Sequence, residues 1–444
     1  GHPNPYRDEV VFKDGPFHGL SNADGDPTND IPAGHPDYTP PFLTLGTNQS
    51  ANGIIEYTAD NFFGQLQGDL LISSFSNGVN IIRVQLTEDG LAPVGLESLV
   101  GGFVAPLPLA MGQNGTDLEG LLIVGEFNGG GITVLESLGT RRDDLPSMPN
   151  AAGVLDAGSA VIGDQLYLVG GKTDTGPISD VYVYTPGDPI DATDDTWTTL
   201  PSTLPGTAVE NPAVVAYDGK LYTFGGSTGP FAGAVSNAAV YDPATALWTA
   251  LADMPTARGG AQAAVLNDKI YVIGGLDADG ASIATAEAFD PVTGEWLSGA
   301  ADPADLQIRR DNAGIAVVED KLHVFGGRTR ELDGTTPDGG LTSMEIYDPS
   351  TDQWTFGASL LNGRRTMAVG TINGRIQAIG GEGNTSLDIS EEYVPSLGAW
   401  RTLPAIATGR HGAGFGTSDG VVYVVGGGPE PGSTFTDVTE AFTF

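Results

Sequence analysis

Short apolar runs ending in a pair of glycines recur six times along this chain, as YLVGG, YTFGG, YVIGG, HVFGG, QAIGG and YVVGG. The pairs are Gly170-Gly171, Gly225-Gly226, Gly274-Gly275, Gly326-Gly327, Gly380-Gly381 and Gly426-Gly427, with first glycines 55, 49, 52, 54 and 46 residues apart. The runs hold the β-branched and aromatic residues that suit a half-buried strand. Between Leu266 and Ile273 two of them flank an Asn267-Asp268 turn, which predicts a hairpin. Downstream of each pair lies an aromatic residue in a further strand-like run: Tyr184, Tyr241, Phe289, Tyr347, Tyr393 and Phe442. In five units a tryptophan follows, at Trp197, Trp248, Trp296, Trp354 and Trp400, and these are all the tryptophans of the chain. The pattern predicts a unit of four strands: one before the hairpin turn, one ending at the glycines, one with the aromatic and one with the tryptophan. Glycine lets the backbone leave the second strand at φ values closed to other residues.

A four-stranded unit with a diglycine, an aromatic and a tryptophan, repeated about every 50 residues, closely resembles the kelch repeat. The resemblance covers about residues 150–444. It implies an all-β, closed propeller of four-stranded blades. The last unit stops at Phe444 without a tryptophan strand, so another segment has to complete it, because an unpaired sheet edge is a liability. Phe42 to Leu45, in PPFLTLG, has the character for this and is expected to close the ring. Two weaker repeats lie between, with second strands in GDLLISSF (68–75) and GLLIVGEF (120–127) and third strands in NIIRVQL and GITVLES. Taking Ile72, Ile123 and Val169 as equivalent gives steps of 51 and 46 residues, in phase with the later units. The expectation is therefore eight blades, or seven if one degenerate unit is absorbed as loops. Residues 1–41 would be an irregular N-terminal extension, 42–149 the closing strand plus two degenerate blades, and 150–444 six kelch blades.

The early segment, in GHPNPYR, GHPDYTPPFLTLGTNQSANGIIEY and the stretch from FFGQLQGDLLISSFSNGVNIIRV to LLIVGEFNGGGITVLE, is similar to the last blades of soluble quinoprotein dehydrogenases of the glucose and sorbosone type. That resemblance implies a shared ancestry of blades. Those enzymes hold pyrroloquinoline quinone and calcium inside a six-bladed propeller. The first blades of such a domain, with most residues that would hold the quinone and the catalytic base, are not in this chain, so a quinone is not expected.

Charge narrows the setting. Asp and Glu number 56 against 19 Lys and Arg, a net charge of −37, with lysine only at Lys13, Lys172, Lys220, Lys269 and Lys321. So acidic a surface argues against nucleic acid or an anionic membrane as a partner, since both need clustered cations. It suits high salt, where screening relieves self-repulsion. With no cysteine, the cysteine–tyrosine copper-radical cofactor of galactose-oxidase-like kelch enzymes is excluded. No run of 18 apolar residues suggests a membrane span. A start at Gly1 without a signal peptide reads as a processed chain, and sequons at Asn48, Asn114 and Asn384 fit a glycosylated exterior protein. An extracellular or cell-surface location is expected.

Four blades carry an arginine ahead of the second strand, Arg258, Arg310, Arg365 and Arg410, and the same four carry a glutamate ahead of the third-strand aromatic, Glu287, Glu345, Glu391 and Glu440. The other two blades have Tyr182 and Ala239 at the glutamate position. One reading is a ring of guanidiniums at the channel rim that binds an acidic sugar or peptide. The other, favoured by the co-occurrence of the two charges, is one buried Arg–Glu bridge per blade. In NADGDPTND, Asp24, Asp26, Asn29 and Asp30 gather around a glycine as hard oxygen ligands that suit Ca²⁺, or as a solvated acidic turn. LDADG at 276–280 is a weaker version and reads better as a turn. His2, His18 and His35 share the N-terminal stretch, His323 stands where a tyrosine stands in YVIGG, and His411 beside Arg410 is a candidate for the channel mouth. The proline-rich residues 1–41 suit a role in assembly. The function expected is a binding or structural module for assembly or adhesion, partnered by its own copies or an extracellular glycan. The alternative is a carbohydrate-active enzyme, quinoprotein-dehydrogenase-like or sugar-modifying, with its site at the channel mouth.

Overall fold

The computed structural model describes residues 145–187, 195–230, 233–331, 340–418 and 420–443, and ahead of them the strand backbones alone. The chain forms two compact units, Gly1–Ser137 and Leu138–Phe444.

In the first unit β1 (Phe12–Lys13) pairs in parallel with β2 (Leu43–Thr44). A four-stranded antiparallel sheet follows in the order β3 (Ala51–Glu56), β4 (Leu70–Ser74), β5 (Asn80–Leu86) and β6 (Pro93–Val100). A three-stranded sheet comes next, β7 (Pro106–Met111), β8 (Leu122–Glu126) and β9 (Ile132–Leu135). The second and third strands read from GDLLISSF, NIIRVQL, GLLIVGEF and GITVLES are β4, β5, β8 and β9.

The second unit is a ring of six four-stranded antiparallel sheets. Blade 1 comprises Gly158–Ile162, Gln165–Val169, Val181–Thr185 and Thr196–Thr199. Blades 2 to 5 repeat this order and begin at Ala213–Tyr217, Gln262–Leu266, Gly314–Val318 and Ala368–Ile372. Blade 6 comprises Gly414–Ser418, Val421–Val425 and Thr439–Thr443, and its outer strand is β10 (Arg141–Arg142), which pairs antiparallel with Phe442 and Ala441. The inner strand of blade 1 lies against those of both blade 2 and blade 6.

A circle of backbone hydrogen bonds around the axis counts the blades independently. Asp156, Asn211, Gly260, Asn312, Thr366 and Gly412, one ahead of each blade, all have left-handed φ, from +50° to +64°. Each donates its N–H to the carbonyl of its predecessor: Asn211 to Asp156 (2.7 Å), Gly260 to Asn211 (3.0 Å), Asn312 to Gly260 (2.8 Å), Thr366 to Asn312 (2.9 Å) and Gly412 to Thr366 (3.0 Å). Asp156 then donates to Gly412 at 2.7 Å and completes the circle. Glycine and asparagine tolerate this backbone, whereas β-branched Thr366 is held there at a cost in strain.

The expected eight-bladed ring is therefore a six-bladed one, and the expected closing strand at Phe42 to Leu45 is replaced by β10, while Leu43 and Thr44 pair with Phe12 and Lys13. The circle of hydrogen bonds from Asp156 to Gly412 already closes at six blades, so the free edge of blade 6 meets the segment that enters blade 1, which is β10.

The repeated aromatics explain why the blades stack. In blades 1 to 5 the third-strand aromatic sits directly opposite its tryptophan in the ladder, Tyr184 opposite Trp197 and Tyr347 opposite Trp354, with ring centroids 5.1 Å apart in both. Such cross-strand pairs are the unit of sheet stabilisation. The indole N–H then reaches the connection entering its own blade: Trp197 to the Pro146 carbonyl (3.0 Å), Trp296 to Ala252 (3.0 Å), Trp354 to Ala304 (2.7 Å) and Trp400 to Ala358 (3.0 Å).

His323 lies in the second strand of blade 4, 3% exposed, its ring 5.8 Å from that of Tyr393 in blade 5. Burial pushes its pKa below the ordinary 6.5. The folded state thus refuses a proton that the unfolded chain accepts, so stability is full above about pH 6.5 and falls as the pH drops toward the folded value. His323→Tyr, which copies Tyr271 of blade 3, is expected to remove this part of the acid loss. Urea midpoints measured from pH 5 to 8 check it, and curves that run parallel for the two proteins would refute it.

Candidate functional site at the channel mouth

The site is built by the connections that follow the diglycines and those that enter each blade. Gly274 and Gly275 have φ of +65° and +103°, and a Cβ on Gly274 would lie 2.5 Å from the Arg310 carbonyl oxygen, so the turn requires glycine on both counts.

Beneath the mouth is a layer of buried arginines. Arg258 meets Glu287 at 2.9 Å, Arg310 meets Glu345 at 2.7 Å, Arg364 meets Glu391 at 2.7 Å, and Arg410 pairs with Glu440. The four guanidiniums are between 0% and 2% exposed. Burial pushes the pKa values of Arg258, Arg310 and Arg364 down, against the opposing pull of their glutamates. Three of them also hold the turn itself: Arg258, Arg310 and Arg410 donate to the carbonyls of Gly274 (3.2 Å), Gly326 (2.9 Å) and Gly426 (3.3 Å). For Arg258, Arg310 and Arg410 a rim open to an anion is thus overturned, because these groups are out of solvent and consumed by carboxylates and carbonyls. One assignment is also corrected. Arg364, not Arg365, is the partner of Glu391, and Arg365 instead meets Glu382 at 2.9 Å. Arg258, Arg310, Arg364 and Arg410 each stand 16 residues before their first glycine, and that offset separates Arg364 from its neighbour. At the same offset blades 1 and 2 carry buried Val154 and Val209.

One residue further on, the chain reaches the mouth. Leu155, Glu210, Gly259, Asp311, Arg365 and His411 each form an antiparallel bridge with the residue that follows a diglycine: Lys172, Ser227, Leu276, Arg328, Glu382 and Gly428. The charged members interlock. Lys172 bridges Asp156 (3.0 Å) and Glu210 (2.8 Å), and Arg328 meets Asp311 at 2.9 Å. Asp311 also accepts from Ser282 Oγ at 2.6 Å, and His411 Nε2 lies 3.9 Å from Glu382. Burial alone would lower the Lys172 pKa, but Asp156 and Glu210 together raise it. Burial raises that of Glu210, only partly offset by Lys172. Of these residues the sequence reading had singled out Arg365 and His411. Lys172, Glu210, Asp311, Arg328 and Glu382 were missed, although counting 15 residues back and two forward from each first glycine finds them.

Along the axis the channel holds a cavity of about 320 Å³ lined by small apolar side chains such as Ala160, Ala213 and Ala263, with Ser159, Asn211 and Gln262 among them. Ser159 Oγ crosses from blade 1 to blade 6, donating to the Phe415 carbonyl at 2.8 Å and accepting its N–H at 2.9 Å.

The acidic loop with Asp24, Asp26, Asn29 and Asp30, the sequons Asn48 and Asn114, and His2, His18 and His35 lie outside the described residues. Asn384 is exposed in the turn between Glu382 and Ser386. In LDADG, Asp277 Oδ1 accepts the N–H groups of Asp279 (3.0 Å) and Ala281 (2.9 Å), the bonding of a turn. Among the described residues no three metal-ligating side chains gather, and no helix is long and apolar enough to cross a membrane.

Comparisons with known proteins agree with this architecture. The KLHDC2/KLHL20/DRC7 Kelch-repeats domain matches residues 211–427, and the Kelch motif matches residues 155–203. Kelch-like protein terF of Aspergillus terreus is 31% identical over 283 residues, which are 56% of this chain and 56% of its own length. N-(sulfonatooxy)prop-2-enimidothioate sulfolyase of Thlaspi arvense is 30% identical over 219 residues, 45% of this chain and 60% of that protein. Kelch-like protein 36 of Bos taurus is 29% identical over 209 residues, 45% of this chain and 31% of that protein. The match thus spans less than two thirds of each relative. The solved structure of YjhT shares the fold, with a TM-score of 0.55 and 19% identity over 67% of this chain and 95% of its own. Ring, repeats and matches together make this chain a member of the kelch-repeat β-propeller family.

Proposed function

We propose that the propeller is a protein-binding module whose contact surface is the charged mouth. The observation that carries the reading is a contrast between positions. Where the fold dictates chemistry, the blades repeat one another: diglycine, aromatic, tryptophan. At the twelve bridged positions around the mouth they diverge into Leu155, Glu210, Gly259, Asp311, Arg365 and His411, facing Lys172, Ser227, Leu276, Arg328, Glu382 and Gly428, of which Lys172, Arg365 and Glu382 are partly exposed and the others buried. Loops on a rigid scaffold carry recognition for this reason. Nine of the chain's 19 cations also stand on these connections: Lys172, Arg258, Arg309, Arg310, Arg328, Arg330, Arg364, Arg365 and Arg410. Five of the nine stand outside the buried arginine layer, and four of these meet carboxylates, Lys172 with Asp156 and Glu210, Arg309 with Glu331, Arg328 with Asp311 and Arg365 with Glu382, so the mouth is a surface of mixed charge.

The test is co-purification of the tagged chain from its native source, with Arg365→Glu in parallel. The variant is expected to lose at least tenfold of the recovered partner while its melting temperature stays close to that of the parent. Equal recovery by both proteins would defeat the assignment of the mouth. The finer reading, an exterior protein of a saline setting that engages an extracellular glycan or its own copies, belongs to the same proposal and rests on the net charge of −37. A urea midpoint indifferent to added KCl would count against the saline part.

A further inference from the structure

The inner strand of each blade has a single partner in its sheet, so half of its backbone polar groups turn away from that sheet toward the axis. The hairpin turns fix which half. In blades 2 and 3 the turns Asp218-Gly219 and Asn267-Asp268 have left-handed φ at both positions, so Tyr217 with Lys220, and Leu266 with Lys269, exchange hydrogen bonds as the closing pairs. From there bonded and non-bonded pairs alternate along the ladder. Val214 and Ala216 in blade 2 and Ala263 in blade 3 fall at non-bonded places and present their N–H and C=O groups to the channel. Blade 6 shows the alternation at work: Phe415 falls at such a place, and its N–H and carbonyl are the ones met by Ser159 Oγ. Among the described residues nothing meets the same groups of Val214, Ala216 and Ala263.

These strands wall the cavity of about 320 Å³, which lies against blades 1 to 3, with Ile315 and Phe415 reaching it from the two adjoining blades. Two side chains add an independent observation. Asn211 and Gln262 line the same cavity, and their amide groups meet no hydrogen-bond partner among the described residues.

The walls select a chemistry. None of the lining residues carries a charge, so an ion would leave water with no counter-charge to receive it. A wholly apolar molecule would strand the backbone groups and both amides out of water. A hydroxyl both donates and accepts, which suits a wall that offers both kinds of group, and the alanine methyls suit C–H faces between hydroxyls. The volume stands at the lower end of the range of about 300–1,000 Å³ for small-molecule sites.

We propose that the channel binds one uncharged, polyhydroxylated molecule of monosaccharide size, held by the inner-strand edges of blades 2 and 3 and by the Asn211 and Gln262 amides. The site is separate from the charged mouth and does not depend on what the mouth binds.

Isothermal titration of the full chain with glucose, galactose, mannose, sorbitol and myo-inositol tests this, with gluconate and glucosamine as charged counterparts. At least one neutral probe is expected to bind, and more tightly than either charged one. Gln262→Leu and Asn211→Gly each remove an amide that supports no contact in the protein, and glycine already stands at the place of Asn211 in blades 3 and 6, as Gly260 and Gly412. At least one of the two is expected to weaken binding tenfold or more while the melting temperature of the free protein stays in place. No binding of any neutral probe up to tens of millimolar would overturn the proposal. So would charged probes that bind as tightly, or binding that both variants keep.

Discussion

Glu287→Ala is expected to destabilise the kelch ring by about 3–5 kcal/mol, the cost of stranding one member of a buried ion pair. Glu287 is 5% exposed and its carboxylate lies 2.9 Å from Arg258, which is fully buried. With the carboxylate gone, the guanidinium keeps its carbonyl partners, Gly274 and Thr285, but neither neutralises a charge cut off from water. The protein supplies its own control in blade 2, where Val209 and Ala239 fill the equivalent positions. The double variant Arg258→Val/Glu287→Ala copies that blade and is expected to be more stable than Glu287→Ala alone, because an apolar pair carries no desolvation cost. Urea midpoints of the parent, both single variants and the double variant form the cycle. Additive losses would mean that the two groups do not act as a pair.

Removing β10 should have the second largest effect. A chain beginning at residue 138 keeps the strand, whereas one beginning at residue 144 lacks it and leaves Thr439–Thr443 as a bare edge. The lost ladder bonds contribute on the order of 0.5–1.5 kcal/mol each. The larger consequence is that the two ends of the ring are no longer joined in one sheet by hydrogen bonds, and the ring presents a strand that pairs with other molecules. The shorter chain is expected to melt several degrees lower and to aggregate on warming, while the longer one melts as a monomeric ring. Identical melting curves and masses for the two would show that closure does not rest on Arg141 and Arg142.

The places where the sequence reading erred share a cause. Arg141-Arg142 has no apolar alternation to mark it as a strand, because an outermost strand at the solvent side needs only backbone hydrogen bonds from its neighbour. Phe42 to Leu45 has the right look and the wrong partner, since local pattern reports strand character and not which edge a strand meets. Arg365 was chosen over Arg364 because both are arginines, and a spacing counted from a variable aromatic position leaves one residue of slack. Counting from the glycines removes it, because the Arg258, Arg310 and Arg410 side chains bind the first glycine's carbonyl and are tied to it by a constant length of backbone. The mouth residues were hidden for a related reason. Lys172, Glu210, Asp311, Arg328 and Glu382 follow no repeat, and dissimilar residues at equivalent positions leave no periodic signal.

The sequence by itself determined the four-stranded blade, its internal ladder, the turn at each diglycine and the pairing of a buried glutamate with a nearby arginine. These depend on contacts made within one repeat, where spacing along the chain sets distance in space. Only the tertiary structure decided that six blades close the ring, that β10 closes it, and that Lys172, Glu210, Asp311, Arg328, Arg365 and Glu382 meet around one opening. Those outcomes are fixed by the wedge angle at which whole sheets pack and by the circle of hydrogen bonds from Asp156 to Gly412, sums over all blades that no single repeat contains.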